Sequence, residues 1–173
     1  MGVHEHKQHA PKKVGITVLS VSSTRSLEND ESGLWIKEYA ERKGHHVVFH
    51  EVIADNQAMI SEAVSNAVRN PKCEAVLVTG GTGISPSDLT IEAVRPLFRK
   101  ELTGFSSLFT MLSYKEVGSA AMLSRSVAGL IGKAAVFCMP GSLKACKMAC
   151  KNIIFSELGH IIKHAFEGSP KEK

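Results

Sequence analysis

Hydrophobic positions along this chain change period, and each change marks a switch between strand and helix. Val14, Ile16 and Val18 fall on every second position of residues 14–20, the repeat of a strand. A polar loop with Ser22, Ser23, Thr24 and Arg25 then runs to Asp30, which is suited to cap a helix carrying Trp35, Ile36, Tyr39 and Ala40 on one face, with Gly44 at its end. Val47, Val48, Phe49 and Val52 make a second strand. Asp55 is placed to cap the next helix, where Ile60, Ala63, Val64, Ala67 and Val68 follow the i, i+3, i+4, i+7, i+8 spacing until Pro71. The apolar, β-branched residues 75–78 form a third strand, followed by a helix using Ile91, Val94 and Leu97 up to Lys100. Residues 102–112 are less regular, with helix predicted only in their second half around Leu108, Phe109 and Met111. A fourth strand over residues 133–139 leads through a sharp turn into a helix with Ala145, Met148, Ala149 and Ile153, and a last helix aligns Leu158, Ile161, Ile162 and Ala165.

Strand–helix alternation of this kind predicts a single α/β domain of three layers, α/β/α, with a mostly parallel sheet covered by helices on both faces. The domain is expected over residues 14–167, between an N-terminal tail of residues 1–13 and a C-terminal tail of residues 168–173. Composition agrees: 173 residues, 43% hydrophobic and 22% charged, suffice for a substantial core. The 21 basic and 17 acidic residues leave a net charge of +4, spread too evenly for a nucleic-acid-binding protein. No segment is long enough to span a bilayer and the N-terminus lacks a signal peptide's apolar region, so a cytoplasmic protein is expected. Cys73, Cys138, Cys146 and Cys150 form no CxxC pair and read as free thiols, Cys146 and Cys150 as core or partner-facing residues. His4, His6 and His9 belong to a polar tail; a frayed or partner-contacting segment is the plainer account of them, adventitious metal binding the other.

Candidate chemistry concentrates at the ends of strands. Thr79-Gly80-Gly81-Thr82-Gly83 follows the third strand, and its glycines permit positive φ and close backbone approach. Ser85 reads as an N-cap, with Pro86 in the first turn and Asp88 three residues on, so helix N–H groups would face the same turn and suit an anion. The turn has neither the Lys-Ser/Thr ending of a P-loop nor GxGxxG spacing, and a tight turn without ligand accounts for it equally. Asp55 and Asp88 lie just beyond strand ends, where paired acids can hold Mg²⁺; each serves equally well as a capping residue. Glu92 adds a third acid or a solvated surface charge. Ser124 and Arg125 suit phosphate or carboxylate, with a structural salt bridge as the alternative for Arg125. Pro140-Gly141-Ser142, with Lys144, repeats the strand–turn–helix logic, and Ser142 and Lys144 could grip a phosphate or cap the helix. Ligands in open α/β sheets bind beyond the carboxyl ends of strands, so the two turns are expected to flank one crevice.

Taken together, Thr79-Gly80-Gly81-Thr82-Gly83 with Asp88 and Glu92, Leu112-Ser113-Tyr114, residues 117–125, Pro140-Gly141-Ser142 and Glu157-Leu158-Gly159-His160 resemble the MoaB/MogA family of molybdenum cofactor biosynthesis proteins, nearest its MoaB branch. The resemblance covers nearly the whole chain. It implies a molybdopterin-binding fold that assembles as trimers, often paired into hexamers, and adenylylation of molybdopterin with Mg-ATP. No tightly bound prosthetic group is implied, and other proteins of the same biosynthesis are possible partners. By motif, Asp55 and Asp88 match the two functional aspartates, and Ser113, Ser124, Arg125 and Ser142 match the pterin and phosphate pocket. Two positions depart from the family pattern. Ser87 stands where many relatives carry a basic residue, and Gly104-Phe105-Ser106-Ser107 where relatives commonly read Gly-Phe-Gly-Glu. A non-catalytic pterin-binding or scaffolding paralogue is therefore the rival expectation; a nucleotide-binding module unrelated to pterins is a third.

Overall fold

In a computed structural model of the chain, residues 10–166 are described; His4, His6, His9, most of the expected N-terminal tail and all of the expected C-terminal tail lie outside the described residues. Six strands form one sheet in the order β2-β1-β3-β6-β5-β4: β1 Gly15–Val21, β2 His46–Ile53, β3 Ala75–Thr79, β4 Lys100–Glu101, β5 Val127–Ile131 and β6 Ala134–Met139. β2, β1, β3 and β6 are parallel, whereas β5 runs antiparallel to both β6 and β4. The first three strands match the periodicity, with one difference. All seven residues of β1 are buried, because both faces of this central strand are covered.

Side-chain alternation along the strands builds two cores. Ile16, Val18, Leu77, Phe137 and Met139 point to one face, where α1 (Glu31–Arg42), α4 (Thr103–Val117), α5 (Leu143–Ala149) and α6 (Phe155–Phe166) supply Ile36, Phe109, Cys146 and Leu158. Leu19, Val21, Val76, Val78 and Cys138 point to the other, against Ile60 and Val64 of α2 (Gln57–Arg69) and Ile91 and Val94 of α3 (Thr90–Val94). The result is the expected three-layer α/β/α arrangement.

Several local expectations change. The expected fourth strand is β6, and β4 and β5 were not anticipated: β5 has Gly129 at its centre, and Phe98 covers that glycine so closely that an added Cβ would sit 2.5 Å from its ring. The irregular stretch is the 15-residue helix α4, beginning at Thr103. The helices of residues 143–166 are continuous through a π-turn at Cys150–Ile154. Helix α3 ends at Val94, a 3₁₀ turn follows over Arg95–Leu97, and Lys100 already belongs to a strand. Asp30 does cap α1, accepting from the Gly33 N–H at 3.1 Å. Asp55 does not cap α2; Asn56 does, accepting from the Met59 N–H at 3.1 Å. Ser85 likewise caps no helix, since residues 85–88 form a turn and α3 starts only at Thr90. All four cysteines are free and buried, and burial pushes their thiols up from the usual value, which makes them core residues rather than reactive groups. Among the described residues no helix is long and apolar enough to cross a membrane.

Candidate functional site

Helical crossovers leave β1 for β2 on one side and reach β3 on the other, so the chain reverses direction across the sheet between β1 and β3. Beyond the carboxyl ends of these strands such a switch opens a crevice. The glycine loop lies there. Gly80 (φ 101°) and Gly81 (φ 63°) adopt left-handed conformations, and a Cβ on Gly80 would meet the Val21 carbonyl oxygen at 2.3 Å. Thr90 ties the loop down: its hydroxyl donates to the Gly80 carbonyl at 2.7 Å and its N–H to the Gly81 carbonyl at 3.0 Å. The N–H groups of Gly81, Thr82 and Gly83 donate to no acceptor among the described residues. Backbone amides left this way are donors for an anion.

The second turn packs directly on the first. The Gly80 N–H donates to the Met139 carbonyl at 2.9 Å, the buried Thr79 hydroxyl to the Pro140 carbonyl at 3.0 Å, and a Cβ on Gly141 would lie 3.2 Å from Gly80 Cα. The expected single crevice is therefore present. Ser142 caps α5 by accepting from the Ala145 N–H at 3.3 Å. Ser113, Pro140, Ser142 and Lys144 line one cleft of about 170 Å³, together with Phe109 and Met148, and Lys144 Nζ sits 2.5 Å from the Glu116 carboxylate at its edge.

Arg125 takes the structural role. Its Nε donates to the Gly83 carbonyl at 2.7 Å and its Nη2 to the Asp88 carbonyl at 3.1 Å, while the fork also pairs with the Glu92 carboxylate. The Arg125 N–H adds a bond to the Thr82 carbonyl at 3.0 Å. The guanidinium's hydrogen bonds hold the Glu92 carboxyl below its usual range, and Glu92 in turn raises the guanidinium. Glu92 and Arg125 thus brace the glycine loop, with Ser124 sharing a hydrogen bond with the buried Ser126 at 2.9 Å.

The two aspartates each keep one carboxylate oxygen uncommitted among the described residues. Asp88 Oδ2 accepts from the Ser85 N–H at 2.8 Å and lies over Gly83, where a Cβ would come within 2.7 Å. Asp55 Oδ2 accepts from both the N–H and the hydroxyl of Ser23 at 2.7 Å. Their segments adjoin, since Gln57 Nε2 donates to the Glu92 carbonyl at 3.3 Å. Among the described residues no group of three or more His, Cys, Asp or Glu side chains is placed to hold a metal. Two carboxylates alone suit a hard cation that completes its shell with phosphate oxygens and water, as Mg²⁺ does.

Sequence reasoning left the loop after β1 without a role, yet it closes this crevice. Ser32 donates from its hydroxyl to the Gly141 carbonyl at 2.8 Å, and Arg25 Nη1 to the same oxygen at 3.4 Å. Asp30, fully buried, anchors the arrangement through His50 Nε2 at 2.9 Å. Burial alone would push its carboxyl up, but the bonds from His50 and the Gly33 N–H, with the Ser20 hydroxyl beside them, hold it below the usual value. Arg25, His50, Ser22 and Ser23 line an open cleft of about 570 Å³. The available signal was positional: a cation in the loop directly beyond a parallel strand's carboxyl end.

Comparison with known proteins supplies the remaining constraint. A family described as "probable molybdopterin binding domain" matches residues 17–160. The chain is 45% identical over 164 residues to molybdenum cofactor biosynthesis protein B of Bacillus subtilis, covering 94% of this chain and 96% of the relative. It is 41% identical over 173 residues to the molybdopterin adenylyltransferase of Pyrococcus furiosus, covering 96% of this chain and all of the relative. A crystal structure of molybdenum cofactor biosynthesis protein B superposes with a TM-score of 0.87 at 43% identity, over 91% of this chain and 98% of that one.

Proposed function

The chain belongs to the family of probable molybdopterin-binding domains and acts in molybdenum cofactor biosynthesis; from that premise we propose that it binds molybdopterin and adenylylates it with Mg-ATP, releasing pyrophosphate. The supporting observation is the joining of the glycine loop to the Pro140–Gly141 turn, with three uncommitted N–H groups and the Asp88 carboxylate beside them.

In this reading, an oxygen of the pterin's terminal phosphate attacks the α-phosphorus of ATP while the bond to the β-phosphate oxygen breaks. The attacking group is already anionic, so no strong general base is required. What the protein supplies is alignment and charge balance. The N–H groups of Gly81, Thr82 and Gly83 hold phosphate oxygens, Arg125 keeps those amides in place, and Ser113, Ser124 and Ser142 orient the pterin side. Asp55 and Asp88 offer their uncommitted oxygens to Mg²⁺, which when bound with the nucleotide neutralises phosphate charge. Lys144, held by Glu116, lends positive charge at the rim. Asp88→Asn is expected to abolish turnover while pterin binding is largely retained; an unimpaired rate of adenylyl transfer in this variant would sink the assignment.

A non-catalytic pterin-binding role is the second reading, and Ser87 favours it. That residue places a hydroxyl, hydrogen-bonded to Ser85 Oγ at 3.1 Å, where relatives commonly carry positive charge next to the aspartate. Ser107, likewise, donates within its own helix to the Thr103 carbonyl at 3.4 Å and brings no carboxylate. Incubation of protein, molybdopterin and Mg-ATP, following adenylylated pterin and pyrophosphate together, separates the readings: binding without either product assigns the second.

Self-association into a trimer, or a dimer of trimers, is part of the proposal. Helix α4 presents Leu108, Met111, Tyr114 and Val117 to solvent, and Met122 and Leu123 extend the apolar surface. Several large apolar side chains left exposed along one helix and the turn after it are the mark of a protein interface. Light scattering on the purified chain tests it, a monomer being the adverse result.

A further inference from the structure

The carboxyl-terminal helix carries a polar cluster far from the crevice. Because α6 returns antiparallel to β6, its end lies at the amino edge of the sheet, where Lys133 Nζ stands 5.9 Å from the centre of the Phe166 ring. Eighteen helical residues from Ser142 to His160 put about 27 Å between this cluster and the second turn of the site. Nothing in the proposed adenylyl transfer uses it.

Glu157, His160 and His164 occupy i, i+3 and i+7 of the helix, so the three share one face. His160 and His164 turn their Nε2 atoms toward each other at 2.9 Å, with ring centroids 4.7 Å apart. Glu157 Oε2 lies 3.1 Å from His160 Nδ1. A carboxylate accepting from Nδ1–H fixes the tautomer in which Nε2 carries the lone pair, and this carboxylate–histidine pairing is the usual support of a metal-bound imidazole. With His160 Nε2 as acceptor, the His164 Nε2–H makes the 2.9 Å contact, and a divalent ion can take that proton's place once His164 adopts its other tautomer. For metal–nitrogen bonds of about 2.05 Å, cis ligands stand about 2.9 Å apart at a right angle and about 3.4 Å apart at the tetrahedral angle. The observed separation, that of a hydrogen bond, is also compatible with two ligands on one ion. Imidazole nitrogens select late first-row ions such as Zn²⁺ and Ni²⁺ over Mg²⁺ and Ca²⁺.

We propose that His160 and His164, backed by Glu157, form a binding site for one divalent transition-metal ion of the Zn²⁺ or Ni²⁺ class, separate from the candidate active site. Its position suggests what the ion does. Ala10 and Pro11 lie against Gly159, where a Cβ would meet the Pro11 carbonyl oxygen at 2.4 Å. The site thus stands beside the point at which the chain enters β1, and an ion there stiffens the contact between this entry segment and α6.

The test uses the full chain stripped with chelator and titrated with Zn²⁺ alone, in calorimetry or in competition with a chromophoric chelator. One equivalent per chain is expected for the native sequence. His160→Gln and His164→Gln should abolish it, and Glu157→Gln should weaken it by roughly 10- to 100-fold, as loss of a supporting carboxylate does. Substituting His4, His6 and His9 together by Gln should leave the equivalent in place. Because ions that bind the native state raise its melting temperature, a Zn²⁺-dependent rise in the native chain that vanishes in His164→Gln gives a second readout. Absence of stoichiometric binding, or binding that persists in both helix variants, overturns the proposal; loss confined to the tail variant does the same and places the ion on the tail histidines.

Discussion

Arg125 and Glu92 form an ion pair at the crevice, and their separate substitution tests whether that pair or the backbone contacts of Arg125 hold the glycine loop. Arg125→Met removes two charge-assisted hydrogen bonds to the carbonyls of Gly83 and Asp88 as well as the pair with Glu92. A hydrogen bond to a charged group contributes about 1.5–3 kcal/mol. Both carbonyls are only part-buried and regain water, which brings each bond down to about 1 kcal/mol, so about 2 kcal/mol is expected for the two together. The ion pair itself is 34% exposed on the arginine side and 42% on the glutamate side, and solvent screening limits it to under about 1 kcal/mol. Glu92→Gln, which loses only the pair, should therefore cost well under half as much as Arg125→Met. At about 2–4 °C per kcal/mol for a chain of this size, Arg125→Met should melt about 4–8 °C below the native protein at equal concentration, and Glu92→Gln less than about 4 °C below it. Urea unfolding gives the same comparison as free energy. Equal losses in the two variants would refute the reasoning, because they would place the stabilisation in the ion pair rather than in the loop carbonyls.

Three further outcomes are expected. Gly80→Ala must seat a Cβ 2.3 Å from the Val21 carbonyl oxygen at φ 101°, so it should destabilise by at least about 2 kcal/mol and depress pterin binding, read by thermal melting and fluorescence titration. Burial lowers the pKa of His45, whose Nδ1 accepts from the Val14 N–H at 3.2 Å. Below about pH 6.5 the unfolded chain takes up a proton that native His45 resists, so stability is complete above that pH and declines as pH falls toward the lower native value; His45→Gln should flatten the urea midpoint between pH 7 and 5. Asp30, also lowered, works the same way further down: its contribution is present above the ordinary value of 3.8 and is lost as pH falls through the native one, so Asp30→Asn should remove that steep acid limb while lowering stability at neutral pH.

Particular residues show where pattern and fold parted. The heads of α1 and α2 turned on single hydrogen bonds: Asp30 accepts from Gly33 as expected, but at α2 the capping oxygen belongs to Asn56, which frees Asp55 to bind Ser23. Ser85 and Pro86 look like a helix start, yet the Asp88 carboxylate captures the Ser85 N–H and stabilises a turn, and that turn carries the aspartate to Gly83. Strand β5 was hidden because Gly129 reads as a breaker until Phe98 is seen to fill its place. Helix α4 showed no amphipathic stripe because its outward side is also apolar, at Leu108, Met111, Tyr114 and Val117.

Local pattern by itself determined the strand–helix alternation, the parallel run of β1, β2 and β3, the two turns beyond β3 and β6, and the family to which those motifs belong. These depend on spacing along the chain, where periods of two and 3.6 residues decide which side chains share a face. Tertiary structure alone decided that Arg125 and Glu92 brace the glycine loop, that Arg25 and Ser32 reach Gly141, and that the entry segment at Ala10 and Pro11 packs against Gly159. Each of those contacts joins residues far apart in sequence. Its energy depends on distance and burial in the packed molecule, and no local period records either.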